Sequence, residues 1–77
     1  DGYEVDVVVE RGARQLAGIE VKAAATVTAA DFRGLRKLAS AAGRRFAGGV
    51  VLYDGETSAS FGEGLYAVPI RNLWETR

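Results

Sequence analysis

The 77-residue chain contains no cysteine, no histidine and no methionine, and only one proline. Without histidine or cysteine it has no Ser-His-Asp triad, no thiolate nucleophile and none of the usual ligands of zinc or iron–sulfur clusters. A Gly-x-x-x-x-Gly-Lys-Ser/Thr loop is also missing, so we expect no ATP site in this segment. The remaining carboxylates, amines, guanidinium groups and hydroxyls suit hard cations and phosphate. If the chain catalyses a reaction, hydrolysis assisted by an oxygen-ligated metal ion is the leading class.

Charge and hydrophobicity are those of a small globular domain. Ten basic and ten acidic residues balance, and 48% of residues are hydrophobic. No apolar run approaches the roughly 20 residues that cross a membrane, and no signal-peptide pattern opens the chain. We therefore predict one domain over residues 1–77, cytoplasmic and without a membrane partner. Because so short a chain is marginally stable alone and begins with Asp1 rather than Met, we expect a fragment of a longer protein.

The hydrophobic pattern predicts four strands and one main helix. The strands are expected over residues 3–10, 16–22, 46–53 and 65–68, the helix from just after Thr28 to about Gly43, and a short terminal helix or turn over 70–74. The first two strands form a hairpin, and the helix crosses over to a third strand parallel to the second. The fold class is therefore α/β with a mixed sheet. Because one helix covers one face of a sheet, we expect a helix from preceding residues, or a second copy of the chain, to cover the other.

A capping motif and an apolar stripe define the predicted helix. Thr28 precedes it and Asp31 follows three residues later, a capping box with Asp in place of Glu or Gln. The stripe consists of Phe32, Leu35, Leu38, Ala39 and Ala42. In the third strand, Gly48-Gly49 is expected to let the helix approach closely. Further residues expected in the core are Tyr3, Phe46 and Trp74.

The hairpin turn determines which side chains share a face. A turn centred on Ala13 makes opposed positions sum to 26, and opposed residues point to the same side of a sheet. Asp6 then faces Glu20, and Glu4 faces Lys22. The other face gathers the apolar residues Val5, Val7, Val9, Ala17, Ile19 and Val21. We expect the helix to pack on that apolar face, opposite Asp6 and Glu20.

The facing carboxylates of Asp6 and Glu20 predict a cation site. Two carboxylates about 5 Å apart at Cβ repel each other unless a cation lies between them. Magnesium or manganese takes such oxygen ligands and keeps water ligands, one of which can attack a phosphodiester. Lys22, on the same strand, would lower the pKa of that water or neutralise charge on a phosphoryl oxygen.

The chain resembles the PD-(D/E)XK nuclease-like superfamily in the order of its residues and elements. Asp6 is followed by Glu20-x-Lys22 at the end of the next strand, and then by a helix and a strand. A narrower resemblance is to the C-terminal domain of unknown function found on many prokaryotic AAA-type ATP-binding proteins. The segments that carry it are Gly2-Tyr3-Glu4-Val5-Asp6, Gly18-Ile19-Glu20-Val21-Lys22, Asp31-Phe32-Arg33-Gly34-Leu35 and Val50-Val51-Leu52-Tyr53-Asp54-Gly55.

The resemblance implies a truncated restriction-endonuclease-like fold and an N-terminal ATPase module in the same parent chain. It implies Asp6, Glu20 and the Val21 carbonyl as metal ligands, with Lys22 as the catalytic lysine. The function it implies is metal-dependent phosphodiester hydrolysis or DNA binding. The superfamily often adds an acid from a helix before the hairpin, and residues 1–77 contain no such segment.

A basic helix face suggests contact with nucleic acid. Residues 28–45 contain five basic residues and one acidic residue, a local balance of +4. The candidate DNA-binding residues are Arg33, Arg36, Lys37 and Arg44. Clustered cations suit phosphate contacts, although a charged outer stripe is equally typical of a solvated helix.

Two other classes of function stay open at the level of sequence. The first is a non-catalytic interaction or regulatory module that keeps the fold and assists the ATPase. The second is a plain oligomerisation element that forms a homo-oligomer. Glu20 and Lys22 also fit an exposed strand in which Lys22 pairs with Glu4, a contact worth about 0.2–1 kcal/mol.

Overall fold

A computed structural model describes residues 5–74, which form a mixed five-stranded sheet with one main helix. The strands are β1 (Val7–Arg11), β2 (Gln15–Lys22), β3 (Phe46–Tyr53), β4 (Ala59–Ser60) and β5 (Leu65–Pro69), and the main helix is α1 (Arg33–Ala42). The strand order across the sheet is β1-β2-β3-β5-β4. The outer pairs β1–β2 and β4–β5 are antiparallel, whereas β2–β3 and β3–β5 are parallel. The predicted α/β class, hairpin and parallel crossover are confirmed.

The hairpin register agrees with the prediction from the turn. Val7 pairs with Ile19 and Val9 with Ala17, so opposed positions sum to 26. The ladder starts at Val7 rather than at residue 3, because the chain bends at Asp6. Residues 1–4 lie outside the described residues, and so do the predicted contact of Glu4 with Lys22 and the predicted core position of Tyr3.

The helix begins in a 3-10 turn. Thr28 is the N-cap in an extended conformation, and it forms the predicted capping box with Asp31. The 3-10 turn covers Ala29–Phe32 before α1 starts. Gly43 ends the helix with a φ of 59°, a left-handed conformation that glycine adopts without a Cβ clash.

Helix α1 packs on the face of the sheet that we did not expect. A Cβ at Gly18 would lie 2.6 Å from Leu35 Cδ2 and 2.8 Å from Leu38 Cδ2, so Gly18 faces the helix. Gly49 on β3 also faces it, since a Cβ there would lie 3.1 Å from Leu35 Cδ2. Because side chains alternate along a strand, Glu20 lies on the same face as Gly18. The prediction of a helix opposite Glu20 is therefore wrong: the glycines provide the depth that the leucines fill.

The core lies between α1 and this glycine-containing face. Its fully or nearly fully buried members are Phe32, Leu35, Val51, Tyr53, Leu65 and Ala67. Phe46 packs against them as predicted, and Phe61 stacks on Phe32 with ring centroids 4.6 Å apart. Trp74 does not cover the core, because its side chain is 69% exposed after the 3-10 turn at Ile70–Leu73. Phe61, which lies between β4 and β5, covers the core instead.

The opposite face of the sheet is open in the described residues. Its roughly half-exposed side chains are Val7, Val9, Val21 and Tyr66.

Strand β4, which has only two residues, is not among the predicted strands; it pairs with β5 at the far edge of the sheet. Within residues 5–74, no helix has the length and apolarity that a membrane crossing needs.

Candidate functional site

Asp6 lies in a bend directly before β1 and binds the neighbouring strand through its side chain. Its Oδ2 accepts a hydrogen bond of 2.8 Å from the Val21 backbone N–H. The peptide of Val21 therefore points towards β1, where the next ladder carbonyl would otherwise accept this hydrogen bond. The Asp6 carboxylate replaces that carbonyl and is fixed next to the Val21 peptide.

Glu20 and Lys22 flank Val21 and share the helix-facing side of β2. Glu20 is half-buried and lies next to Val51 on β3. The ladder ends at the pair of Val7 with Ile19, and Asp6 lies in a bend beyond it, where its carboxylate contacts the Val21 N–H. The hairpin thus brings the three residues of the predicted motif to one end of two adjacent strands.

The Lys22 ammonium forms an ion pair with the start of the helix. Its Nζ donates to Asp31 Oδ2 at 2.5 Å, and the two side chains are 31% and 22% exposed. The same Asp31 oxygen accepts the Thr28 N–H at 2.8 Å. The pKa of the Asp31 carboxyl is lowered, chiefly by the Lys22 hydrogen bond and next by the Thr28 backbone N–H.

Asp31 is the residue of this site that sequence reasoning missed. The sequence identified it as a capping residue, which it is, but did not connect it with Lys22. The connection depends on which face of the sheet receives the helix. Once the helix lies on the Lys22 side, the first helical turn reaches the end of β2, and one carboxylate serves both contacts.

The oxygen donors at Asp6, Glu20 and Val21 fit a hard divalent cation by their chemistry. Carboxylate and peptide carbonyl oxygens are ligands that magnesium accepts, with water completing its coordination. The Asp6 carboxylate lies at the backbone of Val21, from whose N–H it accepts a hydrogen bond of 2.8 Å. Within residues 5–74 the structure has no group of three or more acidic, histidine or cysteine side chains that could hold a metal ion.

The predicted nucleic-acid residues all lie at the surface, but they do not act as one patch. Arg33, Arg36 and Lys37 border a shallow depression of about 460 Å3 on the outer face of α1. Arg36 is held there by a hydrogen bond from its guanidinium to the Phe61 carbonyl at 3.1 Å. Arg44 instead borders a separate depression at the hairpin turn. The basic residues therefore divide between two surfaces.

A family model described as "Domain of unknown function (DUF4143)" matches residues 1–73. The chain belongs to the DUF4143 family. The match covers both strands of the hairpin, the helix and the three strands that follow, so the Asp6 and Glu20-x-Lys22 positions of this DUF4143 domain lie inside it. No curated protein and no solved structure matches the chain. The family description assigns no activity to the domain.

Proposed function

We propose that this DUF4143 domain is a PD-(D/E)XK nuclease-like domain that binds magnesium or manganese and hydrolyses phosphodiester bonds in DNA. The observation that carries the proposal is the 2.8 Å hydrogen bond from the Val21 N–H to Asp6 Oδ2. In this contact the Asp6 carboxylate lies beside the backbone of Val21, the residue on the neighbouring strand whose carbonyl the resemblance implies as a ligand. The proposal includes an AAA-type ATPase module in the same parent chain and a cytoplasmic location.

Each residue has a distinct role in this proposal. Asp6, Glu20 and the Val21 carbonyl hold the cation, and the rigid β2 backbone between Glu20 and Val21 fixes their spacing. The chemistry supplied at such a site is activation of a water ligand for attack on phosphorus. Lys22, which is paired with the Asp31 carboxylate, offers an ammonium group to the negative charge that develops on the phosphoryl oxygens.

A second candidate is a non-catalytic interaction module of the ATPase. Two observations favour it. Lys22 is already paired with Asp31, which gives the lysine a structural role without substrate. The open sheet face also presents half-exposed Val7, Val9 and Val21, and exposed apolar patches mark protein contact surfaces.

A metal titration followed by thermal unfolding tests the first proposal. Magnesium or manganese at ten times its dissociation constant should stabilise the protein by about 1.4 kcal/mol, raising its melting temperature by about 5–10 °C. The double variant Asp6→Asn, Glu20→Gln should lose this response. Glu10→Gln, Glu63→Gln is the matched control, since it removes two exposed acids at the other end of the sheet and should respond like the unaltered protein.

Cleavage of labelled DNA then separates the two candidates. Lys22→Met should keep the metal-dependent rise in melting temperature and lose cleavage, because the ammonium acts on the phosphate and not on the cation. A domain that serves only as an interaction module gives no cleavage with either protein. The same metal response from the Asp6, Glu20 double variant and from the unaltered protein would contradict the proposed ligands.

A further inference from the structure

We propose that the hairpin turn and the end of helix α1 form a binding site for phosphate groups, separate from the carboxylate site. A concavity of about 680 Å3 lies between them. Three exposed arginines border it, namely Arg11, Arg14 and Arg44. Its other lining residues are uncharged; they are Gly12, Ala13 and Gln15. No carboxylate among the described residues lines this concavity.

The sheet pairing brings these arginines together. Leu16 at the start of β2 is the partner of Phe46 at the start of β3. Arg14 precedes Leu16 by two residues and Arg44 precedes Phe46 by two residues, so the two arginines leave the same end of adjacent strands. Arg11 lies across the hairpin turn from Gln15. The convergence therefore follows from backbone pairing and does not depend on one long side chain reaching out.

The electrostatics of the concavity favour an added anion. Among residues 5–74, none of these three arginines forms an ion pair. The nearby acid, Glu10, lies 4.0 Å from Arg45, which does not line the concavity. Because a guanidinium group stays protonated, the three charges repel one another until an anion binds. The dipole at the end of α1 accounts for a cation at Arg44, but not for Arg11 or Arg14 on the hairpin.

Guanidinium chemistry identifies phosphate as the ligand class. Each arginine presents a planar set of donors that matches two oxygens of a phosphate group. Three such groups around one depression suit a diphosphate or successive phosphates of a nucleic-acid backbone. Arg14 and Lys22 are separated by eight residues along β2, or about 26 Å, so this site shares no residue with the carboxylate site. The inference does not depend on the proposed function.

Binding of two probes to the whole 77-residue chain tests the site. Pyrophosphate is titrated by calorimetry, and a short labelled single-stranded oligonucleotide is titrated by fluorescence anisotropy, both at low salt. The variant Arg11→Ala, Arg14→Ala, Arg44→Ala should weaken binding by about tenfold or more. The charge-matched control Arg45→Ala, Arg71→Ala, Arg77→Ala removes three other cations, of which Arg45 and Arg71 are exposed and outside the concavity, and should retain affinity within about twofold.

The two probes distinguish the sources of phosphate. Tighter binding of the oligonucleotide, with a slope of about −2 in log affinity against log salt concentration, supports backbone phosphates. Binding of pyrophosphate without preference for the oligonucleotide supports a small phosphorylated ligand. Absence of binding by both probes, or equal losses in the two triple variants, overturns the proposal. The single change Arg14→Gln at the exposed turn repeats the comparison if the triple variant unfolds early.

Discussion

Gly18→Ala tests where the helix lies, and with it the environment of Glu20 and Lys22. The added Cβ would lie 2.6 Å from Leu35 Cδ2 and 2.8 Å from Leu38 Cδ2, well inside normal carbon–carbon contact. Both leucines are buried, so their shift disturbs the core and costs about 1–3 kcal/mol. Alanine reduces the entropy of the unfolded chain, which offsets about 0.4–1 kcal/mol. We expect a net loss of about 1–2 kcal/mol.

Urea and thermal unfolding measure this loss, which corresponds to a fall in melting temperature of about 5–15 °C. Ala17→Val is the control, since Ala17 pairs with Val9 on the open face and added methyl groups meet no helix there. It should change stability by less than about 0.5 kcal/mol. If α1 packed on the open face instead, Gly18→Ala would be neutral or stabilising. That sign would refute our placement of the helix and the contact between Lys22 and Asp31.

Two further predictions concern the helix start and the core edge. Asp31→Asn should destabilise the protein at neutral pH and make its stability less sensitive to acid. Folding lowers the pKa of the Asp31 carboxyl, so its contribution to the free energy of unfolding is present above about pH 4 and is lost as the pH falls below that value. Urea unfolding at pH 7 and pH 3 measures this, and an unchanged gap between the two proteins contradicts it. Phe61→Ala should cost about 2 kcal/mol because the ring stacks on Phe32, whereas Trp74→Ala at the exposed end should cost less than about 0.5 kcal/mol. Equal melting temperatures for these two variants would show that Phe61 does not cover the core.

The hairpin and its register were predictable because they depend on local information. Alternation along two strands and one turn residue determine which positions are opposed, and the observed pairs of Val7 with Ile19 and Val9 with Ala17 agree. The face that receives the helix depends on the third strand, which is distant in sequence. The helix packs on the face that carries Val51, Tyr53 and Leu65. Burial of these side chains determines its position more than burial of the hairpin valines would.

The candidate site was predictable in part for the same reason. Asp6 and Glu20 follow from the hairpin, and their proximity to the Val21 peptide follows from the register. The pairing of Lys22 with Asp31 does not follow from the hairpin, because Asp31 lies at the start of the helix that packs on the sheet. The two-residue strand at Ala59–Ser60 is too short to show a periodic pattern in the sequence. Trp74 was expected in the core because its side chain is large and apolar, but it is exposed.

One oxygen atom of Asp31 receives both the Lys22 ammonium and the Thr28 amide hydrogen. Because the Thr28 donor is the backbone amide, it is a substitution at Lys22 or Asp31 that alters the surroundings of the other. Across the DUF4143 family we expect exchanges at them to occur jointly: a chain without the amine at position 22 can exchange Asp31 for another capping residue, whereas a chain that retains the amine needs an acid there. Correlated substitution at positions 22 and 31 would be a record of this shared oxygen.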